Sequence, residues 1–316
     1  MRLMPRTLFA TLFSLVGLMG ADLRIGIIGT DTSHVGAFTS ILNDPANPNH
    51  IPGARVVAAY KGGSKDLKSS YERVDKYAEE IHTKYGVEIV PDIPTLLTKV
   101  DAVLLESVDG RPHLAQAKQV IEGGKPLFID KPLSSTYADA KEIARLAAAK
   151  NVKWFSSSSL RYADFVIDLK KKAPVTGAMV WGPGPLDATH QLDLSWYGIH
   201  AVEMLYTLMG KGCVEVSRTF AENSEVITGK WSDGRIGTVR TLKPYGDFGA
   251  VVFYEKGLGQ SPEKAKFSYV PLVKEIIAFF KSGQVPVDNS ETLEIFAFMD
   301  AAQRSRAAGG KPVTLR

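Results

Sequence analysis

Only one cysteine, Cys213, occurs among the 316 residues, so no disulfide can form within the chain and no multi-cysteine zinc site can be built. A basic excess is missing as well: the net charge is +4, and Arg2 and Arg6 near the amino terminus contribute two of those charges. The one compact basic run, Lys170-Lys171-Lys172, is followed by Ala173-Pro174; it is too short for a nucleic-acid patch and reads as a solvated helix end. No repeat or low-complexity tract is present. The apolar stretch Leu8 to Leu18 is too short to span a bilayer comfortably. It follows Arg2 and Arg6 and precedes the small residues Gly20 and Ala21, the outline of a secretory signal peptide over residues 1–21. Without an Arg-Arg pair it has the form of a general secretory signal rather than a twin-arginine one. The expectation is an exported chain, periplasmic or extracellular, with no membrane segment after cleavage; an uncleaved segment would instead act as an anchor.

What is present is ordinary globular composition, 45% hydrophobic and 23% charged, on a chain long enough for two domains. From residue 22 to about 150, strands and helices alternate. Leu23 to Ile28, Arg55 to Tyr60, Val87 to Val90, Ala102 to Leu105 and Pro126 to Ile129 are short apolar runs. Between them, Leu67, Tyr71, Val74, Tyr77, Ile81 and Tyr85 predict a helix, as do Leu114, Ala117, Val120 and Ile121; Tyr137 to about Lys150 predicts a third. Such alternation implies a doubly wound parallel sheet covered on both faces. From residue 151 to 316 the rhythm changes. Val175 to Trp181, Val214 to Phe220, Glu225 to Trp231, Ile236 to Leu242 and Gly249 to Tyr254 follow one another as strands, with Asp233-Gly234 as a hairpin turn. Helices are expected over Tyr197 to Met209, Pro271 to Lys281 and Ser290 to Ala308. The fold class is therefore α/β, a parallel-sheet domain followed by an α/β domain with an open, mostly antiparallel sheet.

Two glycines are absent from a place where a phosphate-binding turn would want them. Residues 23–43 read strand, tight turn, helix, as in G-x-G-x-x-G turns whose glycines let the backbone approach a pyrophosphate. Gly29 takes the first place, but Asp31 stands at the second and His34 at the third. A carboxylate repels phosphate, and either side chain blocks close approach. Thr30, Thr32 and Ser33 act in the other direction, since hydroxyls and first-turn amides hold phosphate oxygens. Read locally, the segment fits an ordinary strand-to-helix turn with an Asp or Ser cap equally well.

Lys131, in Phe128-Ile129-Asp130-Lys131-Pro132, stands just past the carboxyl end of a parallel strand, where ligands of such sheets lie. It can polarise a hydroxyl and orient a ribose, or simply point into water. His200 opens a helix in the second domain. A neutral imidazole there suits removal of a hydroxyl proton, with Glu203 one turn on to orient it; packing or capping is the alternative. His190 and Asp193 lie close in sequence and can line a polar site, and His113 sits at a strand-to-helix loop on the sheet edge that bears Lys131. These histidines and acids match no metal-ligand spacing, so no metal is expected.

Together these segments resemble the glucose-fructose oxidoreductase, inositol dehydrogenase and MocA family (Gfo/Idh/MocA) over nearly the whole chain after residue 21. Asp130-Lys131-Pro132 is similar to the family's Glu-Lys-Pro motif, Glu122 to Lys125 to the helix end before it, and His113 to its His-bearing loop. Gly198-Ile199-His200 is similar to the end of its Asp-x-Gly-x-His motif, and Ala301 to Val313 to its carboxyl terminus. The resemblance implies a Rossmann domain, a substrate domain whose open sheet often dimerises, and NAD or NADP as cofactor. It implies catalytic Lys131 and His200. Cofactor contacts would come from Gly29, Thr30, Asp31, Thr32, Ser33, His34, Ser64, His113 and Lys131. Substrate contacts would come from Lys131, Arg161, His190, Asp193, Trp196 and His200. The chain departs from the pattern at Asp31, at His34 and at Trp196, which replaces an Asp four residues before His200. Lys61-Gly62-Gly63-Ser64 also lacks the acid that reads a ribose 2′-hydroxyl, which leaves room for NADP on Ser64 and Lys65. The expected activity is oxidation of a secondary hydroxyl on a sugar, cyclitol or glycoside. The alternative is an exported carbohydrate-binding relative without cofactor.

Overall fold

The computed structural model describes residues 21–187, 189–243 and 245–315, so the expected signal segment, Ala21 apart, lies outside the described residues. The first half builds β1 (Leu23–Ile28), α1 (Ser33–Asn43), β2 (Ala54–Tyr60), α2 (Lys68–Tyr71), α3 (Val74–Tyr85), β3 (Glu88–Val90), α4 (Ile93–Lys99), β4 (Ala102–Leu105), α5 (His113–Glu122), β5 (Leu127–Asp130), α6 (Tyr137–Lys150) and β6 (Trp154–Ser157). The second half adds α7 (Asp164–Lys172), β7 (Val175–Pro183), α8 (Ile199–Met209), β8 (Cys213–Phe220), β9 (Ser224–Trp231), β10 (Ile236–Leu242), β11 (Gly249–Tyr254), β12 (Leu258–Gln260), α9 (Val270–Ser282), α10 (Asn289–Ala307) and β13 (Val313–Thr314).

The first sheet is wholly parallel, in the order β3-β2-β1-β4-β5-β6, the doubly wound arrangement whose strand order reverses between β1 and β4. Strands β4 and β5 are fully buried, as is β1 from Ile25 to Ile28, because helices cover both faces. On one face α1 is joined by α9, whose Leu272, Val273, Ile276 and Phe279 pack with Ile25, Ile27, Phe38, Phe128 and Phe155. The chain thus returns from its second half to finish the core of its first. Strand β6 pairs with β5 through Trp154 to Ser157, so the parallel sheet runs past residue 150 into the region assigned to the second domain.

The second sheet runs β12-β11-β7-β10-β9-β8-β13 and is antiparallel except where β7 and β10 pair in parallel. Helix α8 covers one face, burying Ala201, Leu205 and Tyr206 against Ala178, Val180 and Val239. On the other face, Ile236 and Phe253 flank Gly177 in one row, and Met179 lies in the next; all three large side chains are about half exposed.

One expected helix is two. The apolar spacing from Leu67 to Tyr85 is interrupted at Glu72-Arg73, where the chain turns so that Ser70 Oγ reaches Asp31 and the Ser64 amide, while Ala78 and Ile81 still reach the core. Helix α4 was not expected; Asp92 caps it, accepting from the Thr95 amide at 2.7 Å. Among the described residues no helix is long and apolar enough to cross a membrane.

Candidate active site

A cavity of about 250 Å³ lies at the carboxyl edge of the parallel sheet. Thr32, Ser33 and His34 line it from the start of α1, Lys131 from the end of β5, and Ser159 and Leu160 from the turn after β6. Its far wall is Trp196, Tyr197 and His200 at the start of α8, with Tyr245, Phe248, Phe267 and Tyr269 from the loops flanking the last strands. The rule that ligands of open α/β sheets sit beyond the strand ends explains the near wall. The far wall comes from the second domain.

His200 is oriented by Ser158, not by Glu203. Its Nδ1 lies 2.7 Å from Ser158 Oγ, which also accepts from the Leu160 amide at 3.1 Å. Tyr197 and Phe248 meet the ring edge-on. Burial, then the nearby Lys131 ammonium, push the imidazole well below the ordinary range, so it stands neutral at physiological pH. The Lys131 side chain makes no ion pair or hydrogen bond with the described residues, which leaves its ammonium for a ligand. Glu203 instead takes the Arg161 guanidinium at 2.7 Å.

Several expected contacts point elsewhere. Arg161 is buried between Glu203 and Glu291 and does not line the cavity; its charge is consumed where the two domains join. Asp193 accepts from Arg218 and Arg306, both at 2.9 Å, and is likewise outside. His190 is buried against Trp196, 3.9 Å from an Asp109 oxygen, so it backs the cavity wall rather than facing the cavity. Both ring nitrogens of His113 face backbone carbonyls, those of Ser107 and Leu133. Thr30 Oγ1 donates to the Val74 carbonyl at 2.8 Å, and Ser64 Oγ donates to Asp109 at 2.5 Å. Conversely, the sequence pattern did not single out Ser158 or the rings of Phe248, Phe267 and Tyr269. They come from separate loops and carry no linear motif.

The residues fit a nicotinamide dinucleotide at one end of the crevice and restrict it at the other. Gly29 has φ +88°, and a Cβ there would come within 2.4 Å of the Ser107 backbone, so the tight turn needs glycine as the first position of the family loop does. Thr32, Ser33 and Lys131 face the cavity and can hold the nicotinamide ribose and its phosphate. Toward the adenosine end, Asp31 is fully buried, accepting from Ser70 Oγ at 2.5 Å and the Val108 amide at 2.9 Å. Ser64 to Asp109 and Arg111 to Asp66 tie the same loops together. Burial outweighs the hydrogen bonds from Ser70 and Val108 and raises the Asp31 carboxyl above its usual range. A dinucleotide in the usual crevice has to part these loops. Breaking such buried hydrogen bonds costs roughly 1–3 kcal/mol. Asp31→Gly is therefore expected to tighten NAD binding about tenfold or more by calorimetry; unchanged or weaker affinity in a folded variant refutes the latch.

Behind the loop, Glu106 at the end of β4 is fully buried with neither carboxyl oxygen hydrogen-bonded. Burial, then Asp130 and Asp31, raise it well above its ordinary value of 4.5. The folded protein keeps this proton where the unfolded chain releases it, so stability falls as pH rises from about 4.5 toward the raised value. Glu106→Gln is expected to match the parent in acid and to exceed it in alkali. The melting point should rise by about 2–4 °C for each kcal/mol of penalty removed. Equal melting curves at both pH values would rule this out.

A 3-2-1-4-5-6 sheet whose carboxyl edge shares a cavity with an open-sheet domain is a Rossmann architecture with a cavity where the two sheets' domains meet. Residues 23–158 match the Gfo/Idh/MocA model, described as an oxidoreductase family with an NAD-binding Rossmann fold. It is 24% identical over 237 residues to an inositol 2-dehydrogenase/D-chiro-inositol 3-dehydrogenase of Lacticaseibacillus casei, an alignment covering 70% of this chain and 63% of that relative. A myo-inositol dehydrogenase from Lactobacillus casei, solved with NAD(H) and myo-inositol, is 19% identical at TM-score 0.73, over 93% of this chain and 97% of its own. GenD2 from gentamicin A biosynthesis, solved with NAD, is 17% identical at TM-score 0.76, over all of both chains. These two structures share the fold with this protein.

Proposed function

We propose that this protein is an NAD(P)-dependent oxidoreductase that oxidises a secondary hydroxyl of a sugar, cyclitol or glycoside. The observation that carries the reading is that Lys131 and His200, from different domains, line one cavity at the carboxyl edge of the parallel sheet. The bound nicotinamide supplies the hydride acceptor. His200 takes the hydroxyl proton on its cavity-facing nitrogen while Ser158 holds the other. The Lys131 ammonium donates to the same hydroxyl oxygen and favours its alkoxide character. Trp196, Tyr197, Phe248 and Tyr269 offer ring faces and edges to the C–H faces of a sugar ring and keep water from the reacting carbon. The inositol dehydrogenases among its relatives support a polyhydroxylated ring as substrate.

The test is to incubate residues 22–316 with NAD⁺ or NADP⁺ and a panel of cyclitols, hexopyranoses and methyl glycosides, following absorbance of the reduced nicotinamide. No binding of either cofactor at millimolar concentration would favour the cofactor-free carbohydrate-binding reading, for which the Asp31 latch is the motivating observation. The proposal extends to export through residues 1–21, checked by the amino-terminal mass of the mature protein. It also extends to pairing of copies through the Met179, Ile236 and Phe253 face, checked by mass in solution.

A further inference from the structure

Two departures from the family pattern, His34 in the glycine loop and Asp130 for the motif's Glu, touch each other. His34 Nδ1 lies 2.6 Å from Asp130 Oδ2. Asp130 is fully buried, which raises its carboxyl, but His34 and then Lys131 outweigh burial and leave it below the ordinary range, hence ionised. An ionised carboxylate accepts, so Nδ1 carries a proton and donates to Asp130, which leaves Nε2 as the ring nitrogen not engaged by Asp130. Nε2 makes no hydrogen bond with the described residues, and the ring lines the cavity. Phe38 stacks on the ring at 5.4 Å and Tyr269 meets it edge-on at 4.6 Å, which fixes its plane.

We propose that His34 is a second proton-transfer residue of this cavity, with Asp130 as the positioning residue that sets its tautomer. The proposal rests on the reading of the cavity as an oxidoreductase site. Oxidising a hydroxyl to a ketone requires one base, and His200 serves. A second imidazole lining the same cavity has one further proton within chemical reach, that on the carbon beside the new carbonyl, which the carbonyl acidifies. His34 Nε2 takes that proton; the C–H electron pair moves into the enolate, whose oxygen Lys131 holds. Return of a proton from His34 to the carbon restores the ketone, and no further oxidant or reductant is needed. The groups facing His34 are Asp130 and Lys131 from the end of β5, His200 from α8, and Tyr269 from the segment before α9.

The step can be read without cofactor by supplying the ketone. Residues 22–316 are incubated in D₂O with scyllo-inosose, and loss of the protons beside the carbonyl is followed by NMR against buffer. Exchange about 10²-fold or more above buffer is expected, falling to the buffer rate in His34→Gln. Independently, ¹⁵N-histidine spectra of the unaltered protein should show His34 with Nδ1 protonated and Nε2 bare, and Asp130→Asn should shift that tautomer. Exchange no faster than buffer, exchange unchanged in His34→Gln, or a proton resident on Nε2 with Nδ1 bare would each overturn the proposal. If His34→Gln does not fold, His34→Asn and the tautomer measurement decide. Hydride transfer is scored separately by nicotinamide absorbance, so loss of the exchange step leaves the oxidoreductase reading standing.

Discussion

His200→Asn is expected to lower kcat by about 10²–10⁴-fold, the usual contribution of a positioned general base. Asparagine keeps a polar group near Ser158 and the approximate volume, so the packing of Tyr197 and Phe248 around it survives and NAD⁺ affinity should hold. Loss concentrated in kcat marks an interaction made in the transition state; a rise in KM alone would mark a binding residue and refute the assignment. The pH profile supplies a second check. Burial and Lys131 hold the imidazole well below its ordinary value of 6.5, so the base form persists into acid. The acid limb of kcat/KM should therefore lie below that of a free imidazole. In a protein with Lys131 replaced by Met, burial still depresses the imidazole but the cationic contribution is gone, so the limb should move upward.

The same replacement, Lys131→Met, is the second large effect: about 10²–10³ in kcat, comparable to removal of one donor aimed at a developing oxyanion. Methionine preserves the length of the apolar stem but donates nothing. Because the ammonium has no partner among the described residues, its loss leaves no buried carboxylate newly unpaired except through the more distant Asp130. The folded state should be little affected, and unfolding curves measured alongside the kinetics separate the two effects. An arginine at 131 is not expected to restore activity, since its planar fork is larger than an ammonium and the cavity holds about 250 Å³. Activity within a few fold of the parent in Lys131→Met would remove Lys131 from the chemistry.

Much of the site was legible as candidates and little of it as geometry. Lys131 and His200 announced themselves by position, one after a parallel strand and one at a helix start, and both line the cavity. Asp31 and His34 were legible as anomalies of the glycine loop, but their partners were not. Asp31 meets Ser70 and Val108, and His34 meets Asp130, 96 positions away. Arg161 and Asp193 misled because a charged residue in a candidate site region reads the same whether it faces a ligand or an ion-pair partner. Glu203, one helical turn from His200, faces the Arg161 guanidinium, on which Glu291 of α10 also converges.

Local sequence was sufficient for the alternation of strands and helices and the change of rhythm in the second half, because periodicity and backbone preference act over a few residues; the cap of α1 is Thr32 rather than the expected Asp or Ser. It also picked out a lysine and a histidine that both line the cavity. Which side chains meet across the domain junction was settled only by packing. Helix α9 returning to cover β1, Ser158 rather than Glu203 beside His200, the Asp31 latch and the His34–Asp130 pair all join residues far apart in the chain. Such contacts depend on how buried surfaces close around one another, and no short-range pattern encodes them.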